Sequence, residues 1–348
     1  MDLSTRYLGL ELRNPLVASA SPLSNTVDGA RRLADGGVGA IVLYSLFEEE
    51  LDREAARNAL LADAGTESFA ESLSFFPENA GDRPGPGRYL SLLERAVAAV
   101  DVPVMASLNG VTAGGWTDYA TALAGAGAAA IELNIYHLPG DPLVPARDLE
   151  QRLVEVLTSV KATVSVPVAV KLSPYFSSIG EMAQRLDQAG ADGLVLFNRF
   201  LQPDIDPETL TVTTGFGLSS PAEARLPRAW IALLAGRVRA SLAATTGVED
   251  MADVARYLLA GADVVMTASA LLRHGPGYAG VLLRELGAWM DARGSAAWRS
   301  CAGCYRCRPA PMRRPTSGPA MSPCCRPRTV ATAPGSRPAS ASPNPTAG

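Results

Sequence analysis

The chain has 348 residues, of which 47% are hydrophobic and 19% charged, with 31 basic and 35 acidic side chains. This length allows one large barrel or two medium domains, and the composition is ordinary for a soluble globular enzyme. No apolar run reaches the roughly 18 residues that a membrane-spanning helix needs, and the N-terminus lacks a signal peptide's basic and apolar regions. We therefore expect a cytoplasmic protein with no membrane contact.

The charge is distributed unevenly along the chain. Seven of the 31 basic residues are arginines of the segment 300–348, so residues 1–299 carry 24 basic and 35 acidic side chains, a net charge of −11. Residues 1–299, called the body below, are acidic enough to argue against nucleic-acid binding. We predict a folded domain at residues 1–298 and a disordered tail, rich in Pro, Arg, Ser and Ala, at residues 299–348.

All five cysteines lie in that tail. The spacing of Cys301, Cys304 and Cys307 resembles the start of an iron–sulfur site, but no fourth cysteine follows at ferredoxin spacing. We therefore predict no metal site.

Short apolar runs alternate with helical patterns along the body. A predicted hairpin (5–8 and 10–13) comes first. The predicted strands that follow are 15–19, 40–44, 103–107, 129–134, 168–172, 193–198, 240–244 and 263–267. Each leads into a helix, at 27–35, 89–100, 117–126, 148–163, 179–189, 221–234, 248–259 and 278–293. A long excursion (47–87) interrupts the second unit, and a predicted hairpin insertion (204–217) interrupts the sixth.

Eight strand-then-helix units over about 280 residues predict a (β/α)8 TIM barrel, an α/β fold, here with an N-terminal β-hairpin. The alternative is a doubly wound open sheet. That fold would place a Gly-rich turn after its first strand, and Ser19-Ala20-Ser21 is not such a turn.

In a barrel, the residues at the carboxyl ends of the strands form the active site. Here they are amides, hydroxyl groups and one lysine, which suit a polar, planar, electron-accepting ring. They include no His/Asp/Glu cluster suited to a metal. Lys171, one of only two lysines, ends an apolar strand. It either meets an anionic group there or reaches out to solvent.

Two turns match the places where barrels bind phosphate through backbone N–H groups. They are Thr246-Gly247, after the seventh strand, and Ala268-Ser269, after the eighth.

Together these motifs resemble the dihydroorotate dehydrogenase family of FMN-dependent barrels over residues 3–290. The resemblance rests on the motifs Asn14-Pro15-Leu-Val-Ala-Ser, Ile-Glu132-Leu-Asn134, Val-Ala-Val-Lys171-Leu-Ser-Pro, Val-Leu-Phe-Asn198 and Leu-Ala-Gly261-Ala-Asp-Val-Val-Met-Thr-Ala-Ser269. The resemblance implies that FMN contacts Lys171 and the two asparagines, which also face the substrate. It further implies that turns at Gly247-Val248 and Ala268-Ser269 hold the FMN phosphate.

The full set of predicted site residues is larger. The predicted cofactor contacts are Ser19, Ala20, Ser21, Ser45, Ser107, Asn134, Lys171, Asn198, Gly247, Val248, Ala268 and Ser269. The predicted substrate contacts are Tyr44, Asn109, Asn134, Asn198 and Arg199.

The chain departs from the family pattern on the substrate side. The family's loop after its fourth strand carries a Cys or Ser base, whereas this chain has Ile135-Tyr136-His137. His137 is either a replacement base, with Lys171 as the other predicted catalytic residue, or a loop residue with a structural hydrogen bond. Tyr44 replaces a lysine. Arg199 replaces a small hydroxyl residue.

The sequence also suggests contacts for three further polar or charged residues, Arg199, Glu132 and His274. Arg199 could bind a substrate carboxylate or form an ion pair with an acid such as Asp204 or Asp206. Glu132 is predicted to be a barrel-interior residue paired to a neighbouring donor. His274 is predicted to end a helix.

The resemblance implies an FMN-dependent oxidoreductase that converts dihydroorotate to orotate in pyrimidine biosynthesis, or acts on a related carbon–carbon bond beside a carbonyl. The expected partner is a dihydropyrimidine or similar small molecule, and a homodimer is left open. One alternative is a degenerate paralogue that binds flavin or phosphate without turnover. Another is a flavin-independent, phosphate-handling synthase or lyase.

Overall fold

The computed structural model describes residues 2–48, 86–110, 113–135, 142–199, 204–213 and 217–294. Most of the predicted excursion and the whole predicted tail lie outside the described residues. Among the described residues, no helix combines the length and the apolar character needed to cross a bilayer.

Eight parallel strands form a closed barrel, which confirms the predicted (β/α)8 fold. The hairpin strands β1 (Thr5–Tyr7) and β2 (Leu10–Leu12) precede it, and the hairpin strands β9 (Asp204–Asp206) and β10 (Thr211–Thr213) are inserted within it. Both hairpins were predicted. The barrel strands are β3 (Leu16–Ala18), β4 (Ala40–Phe47), β5 (Val104–Asn109), β6 (Ala130–Leu133), β7 (Val168–Leu172), β8 (Gly193–Leu196), β11 (Ser241–Ala244) and β12 (Val264–Thr267).

Helices follow the barrel strands and cover their outer faces. They are α1 (Val27–Asp35), α2 (Pro86–Ala99), α3 (Ala113–Gly125), α4 (Ala146–Thr163), α5 (Ile179–Gln188), α6 (Arg225–Leu234), α7 (Met251–Ala260), α8 (Ser269–His274) and α9 (Tyr278–Asp291). The side chains of Thr26, Ser178 and Asp250 cap α1, α5 and α7 by accepting a backbone N–H of the first turn. His274 ends α8, as predicted.

The N-terminal hairpin closes the amino end of the barrel. Tyr7, Leu8 and Leu12 are buried together with the inward-facing side chains of the barrel strands. Leu8 reaches so deep that a Cβ added at Gly193 would lie 2.5 Å from its Cδ2 atom. The hairpin therefore fills the barrel interior at its amino end.

Some predicted element bounds were wrong. Helix α7 was predicted from residue 248 but begins at Met251, because the Asp250 carboxylate accepts the Asp253 N–H and fixes the first turn there. His274 was expected to end a helix, but no span was predicted for α8, since its six residues are too short to show a helical period.

Candidate active site

The predicted strand-end residues lie along the carboxyl edge of the barrel. The backbone N–H groups of Asn134 and Asn198 donate to Leu108 and Leu172 of the neighbouring strands, at 2.8 and 2.7 Å. Side chains alternate across a strand, so Lys171 shares the inward face with Ala169. The sheet therefore brings side chains from several strands into one interior layer.

Lys171 and Glu132 form a buried ion pair within this layer. The Lys171 Nζ donates to Glu132 Oε1 at 3.2 Å, and the two side chains are 10% and 2% exposed. The prediction that Glu132 is interior and paired is confirmed. Lys171 does not reach out to solvent.

Two asparagines that follow different strands, β6 and β8, contact each other. The Asn198 Nδ2 donates to Asn134 Oδ1 at 2.7 Å. Asn134 is buried and Asn198 is half-buried. Their amides retain further donor and acceptor capacity, which a planar polar ring can use.

A bulge in β4 decides which way two predicted site residues face. The pairing of β4 with β5 shifts between Val42 and Ser45, so that Ser45 lies opposite Ser107. Their hydroxyl oxygens are 2.8 Å apart. Tyr44 instead packs its ring against Tyr89 of α2, with ring centroids 5.0 Å apart. The structure thus brings Ser45 and Ser107 together and places Tyr44 against the helix layer.

The two predicted phosphate turns meet at a serine that the sequence analysis missed. The Ser219 hydroxyl contacts Ser269 Oγ at 2.9 Å and accepts the Gly247 N–H at 3.1 Å. The Ser219 N–H also donates to Ser269 Oγ at 3.0 Å. Arg273 donates to the Ser219 carbonyl at 2.8 Å and holds this loop in place.

The backbone at the first of these turns is left-handed. Thr246 has φ +78° and Gly247 has φ +69°. A Cβ at Gly247 would lie 2.6 Å from the Ser220 carbonyl oxygen and 2.8 Å from the Ala224 nitrogen. Only glycine allows this close approach.

Arg199 forms an ion pair, but with neither of the acids suggested above. Its guanidinium contacts Glu223 Oε1 at 3.1 Å and donates to the Gly217 carbonyl. Burial raises the pKa of Glu223, but hydrogen bonds from Ser220 and the charge and hydrogen bond of Arg199 outweigh it, so this pKa is lowered overall. Arg199 and Glu223 line a cavity of about 340 Å³ that also borders Asn198.

The remaining predicted contacts lie nearby on the barrel. The Ser19 N–H donates to the Thr267 carbonyl at 3.1 Å, and the Ser21 hydroxyl accepts the Leu23 N–H at 3.3 Å. Asn109 is the buried last residue of β5, and Val248 is buried directly after Gly247. Ala20 and Ala268 are half-buried beside Ser19 and Ser269. His137 and Tyr136 lie outside the described residues.

The sequence profile of one protein family, described as dihydroorotate dehydrogenase, matches residues 2–290. The match spans the hairpin, all eight barrel strands and most of α9. The chain belongs to the dihydroorotate dehydrogenase family. Its members are oxidoreductases that act on CH–CH groups.

Individual dihydroorotate dehydrogenases are similar over most of their length. The catalytic subunit of dihydroorotate dehydrogenase B (NAD(+)) from Methanothermobacter thermautotrophicus is 27% identical over 312 residues, 84% of this chain and 94% of the relative. A putative dihydroorotate dehydrogenase A (fumarate) from Aeropyrum pernix is 29% identical over 280 residues, 79% and 88% of the two chains. The B-type catalytic subunit from Methanocella arvoryzae is 30% identical over 277 residues, 78% and 87%.

Within the described part of this dihydroorotate dehydrogenase-family chain, no group of three or more His, Cys, Asp or Glu side chains could hold a metal ion. The tail cysteines lie outside that part. The donors assembled at the carboxyl edge are amide, hydroxyl, ammonium and backbone N–H groups.

Proposed function

We propose that this protein is an FMN-dependent oxidoreductase that oxidises dihydroorotate or a closely related dihydropyrimidine. The main support for this proposal is the position of two groups of polar residues. The Lys171, Asn134 and Asn198 side chains and the Ser219–Gly247–Ser269 cluster lie on the same edge of one barrel. The first group offers in-plane donors and acceptors to a ring. The second gathers hydroxyl groups and the Gly247 N–H at one turn, and a bound phosphate would replace hydrogen bonds that these groups make to one another.

The chemistry of the donor set agrees with FMN. A flavin ring presents carbonyl and ring-nitrogen atoms that amides and an ammonium group can contact. A phosphate is commonly held by backbone N–H groups at a glycine turn, and Gly247 makes such a turn. When bound, FMN supplies a ring that accepts a hydride and thereby gains negative charge.

The chain's own residues would bind the substrate and move a proton. Asn134 and Asn198 are polar groups that can hydrogen-bond a dihydropyrimidine ring, and both border the layer that holds Lys171. His137 lies three residues after Asn134, where the family carries its Cys or Ser base. We assign proton abstraction to His137, because an ordinary histidine pKa lies close to neutral pH.

Cofactor identity can be tested on the purified protein. Acid precipitation is expected to release a yellow compound that mass spectrometry identifies as FMN, in a ratio near one per chain. A covalent link between FMN and the protein is not expected, since residues 1–299 contain no cysteine. A folded protein that is colourless and cannot be reconstituted with FMN contradicts the proposal.

The assignment of His137 needs a separate test. His137→Ala is expected to slow the reduction of the flavin by substrate by roughly 10²–10⁴ while FMN binding stays unchanged. His137→Gln should be as slow, because it keeps a hydrogen-bonding group but not the proton acceptor. Tyr136→Phe is the matched control and should retain the parent rate. Parent rates in both His137 variants would move the role of base to another group.

A further inference from the structure

The Lys171–Glu132 ion pair places two opposite charges in the barrel interior. Glu132 is 2% exposed, and burial of a carboxylate is costly unless it is paired. Its Oε1 accepts the Lys171 ammonium at 3.2 Å. Lys171 therefore does not act on its surroundings as an isolated positive charge.

The contacts of the second carboxylate oxygen of Glu132 show what this side chain contributes to the ion pair. Glu132 Oε2 is buried and has no hydrogen-bond partner among the described residues. A glutamine would place an oxygen equivalent to Oε1 and hold the ammonium by the same hydrogen bond. The feature that only glutamate supplies here is its negative charge.

No other described group is placed to neutralise that charge. The Tyr7 hydroxyl, deeper in the barrel, is also buried without a partner, and burial followed by the charge of Glu132 raises its pKa. Tyr7 therefore stays neutral. Among the described residues, Lys171 is the one cation that pairs with Glu132.

We infer that Glu132 is a positioning residue that fixes the Lys171 ammonium in the ring site and offsets its charge, so that bound FMN has a lower reduction potential than Lys171 alone would give. This inference rests on the proposed function, because it requires a ring that becomes negative on reduction. An uncompensated ammonium stabilises that negative charge. A neighbouring carboxylate at 3.2 Å opposes the stabilisation.

If Glu132 offsets the charge of Lys171, removing one charge or the other should shift the reduction potential of bound FMN in opposite directions. Glu132→Gln is expected to raise the ratio of the dissociation constants of oxidised and reduced FMN about tenfold, which is about +30 mV for a two-electron couple. Lys171→Met is expected to lower the same ratio by a similar factor. The double variant Lys171→Met/Glu132→Gln removes both charges and should return close to the parent potential.

The test is a reductive titration of each FMN-loaded protein against a reference dye at one pH. The double variant leaves no unpaired buried charge, so it keeps the test informative if a single variant fails to fold. Asp192→Asn is the matched control, because Asp192 pairs with the chain's other lysine, Lys161, at 2.6 Å near the amino end of β7. Its potential should equal that of the parent.

The outcomes separate this inference from the proposed function. The inference on Glu132 is overturned if the reduction potential of FMN-loaded Glu132→Gln is unchanged or lower than that of the parent. It is also overturned if the potential of the double variant is as low as that of Lys171→Met. Either result leaves the FMN proposal standing. A parent protein that binds no FMN overturns both.

Discussion

Two buried tyrosines differ in what their hydroxyl groups contact. The Tyr89 hydroxyl donates to the Tyr44 carbonyl at 2.9 Å and accepts the Ser107 N–H at 3.3 Å. The Tyr7 hydroxyl has no partner among the described residues. Burial raises the pKa of both phenols. Replacing each tyrosine by phenylalanine removes one oxygen, and the free energy of unfolding should respond differently at the two positions.

We expect Tyr7→Phe to leave the free energy of unfolding unchanged or to raise it by about 0–2 kcal/mol, because an unpaired buried hydroxyl is unfavourable. Tyr89→Phe should lower it by about 1–3 kcal/mol, since two buried backbone groups lose their partner. Urea denaturation of the matched pair measures both. Equal destabilisation by the two variants would contradict the contacts described for Tyr7.

The turn at Gly247 should be required for tight binding of FMN. An alanine there would adopt a left-handed φ of +69° and approach the Ser220 carbonyl oxygen, so the Ser219 loop must move. We expect Gly247→Ala to weaken FMN binding at least about tenfold, which is about 1.4 kcal/mol. Titration of the apoprotein with FMN gives this affinity.

Gly287→Ala is the control for that variant. Gly287 lies in α9, and a Cβ there would meet nothing within 4 Å. Alanine should keep or raise stability by up to about 1 kcal/mol and leave FMN affinity unchanged. Equal FMN affinity in both glycine variants would mean that the Gly247 turn does not hold the phosphate.

A short 3-10 helix (Pro221–Ala224) joins the inserted segment to α6. Glu223 accepts the Ser220 N–H at 2.6 Å and pairs with Arg199, which follows β8. The pair therefore links the end of β8 to the start of the 3-10 helix. It also borders the candidate site.

This link should depend on pH. The pKa of Glu223 is lowered from its ordinary value of 4.5 in the folded protein, so its stabilisation is present above that value and is lost as the pH falls through the folded pKa. Glu223→Gln should be less stable than the parent at pH 7, by less than about 1 kcal/mol because both side chains are partly exposed. The difference should shrink below pH 4.5.

Thermal unfolding of parent and variant from pH 3 to pH 7 checks this expectation. Glu94→Gln, at an exposed position on α2, makes the same change of charge and is the control. A difference that grows as the pH falls would have the wrong sign for a carboxyl of lowered pKa.

The barrel could be predicted because its signal is local. Each strand is a short apolar run, and each carboxyl end is marked by a polar residue such as Asn134, Lys171 or Asn198. The outward rotation of Tyr44 could not be predicted, because the bulge in β4 results from pairing with β5 and no glycine marks it.

Long-range contacts account for the other misses. Ser219 lies 28 residues from Gly247 and 50 from Ser269, in a stretch without periodicity. Arg199 was expected either to bind a substrate carboxylate or to pair with an acid such as Asp204 or Asp206, and Glu223 was not considered. In the structure both of these carboxylates accept N–H groups of their own hairpin, from Ile205, Glu208 and Thr209.

The described barrel is closed by β12 pairing with β3, and α9 ends at Asp291. Both strands of this closing pair lie within the described residues, so we expect the barrel to close without the predicted tail. We expect deletion of residues 300–348 to leave the unfolding temperature and the FMN content unchanged. Iron or zinc that is lost together with activity on deletion would instead support a metal site at Cys301, Cys304 and Cys307.

Bound FMN in this barrel is proposed to oxidise a dihydropyrimidine. Anaerobic mixing of the oxidised, FMN-loaded protein with dihydroorotate, while the flavin absorbance is followed, measures this reaction. We predict that the absorbance bleaches as orotate forms in equal amount. A protein that carries FMN, is bleached by dithionite and is not bleached by dihydroorotate or by a panel of related dihydropyrimidines would contradict the claim.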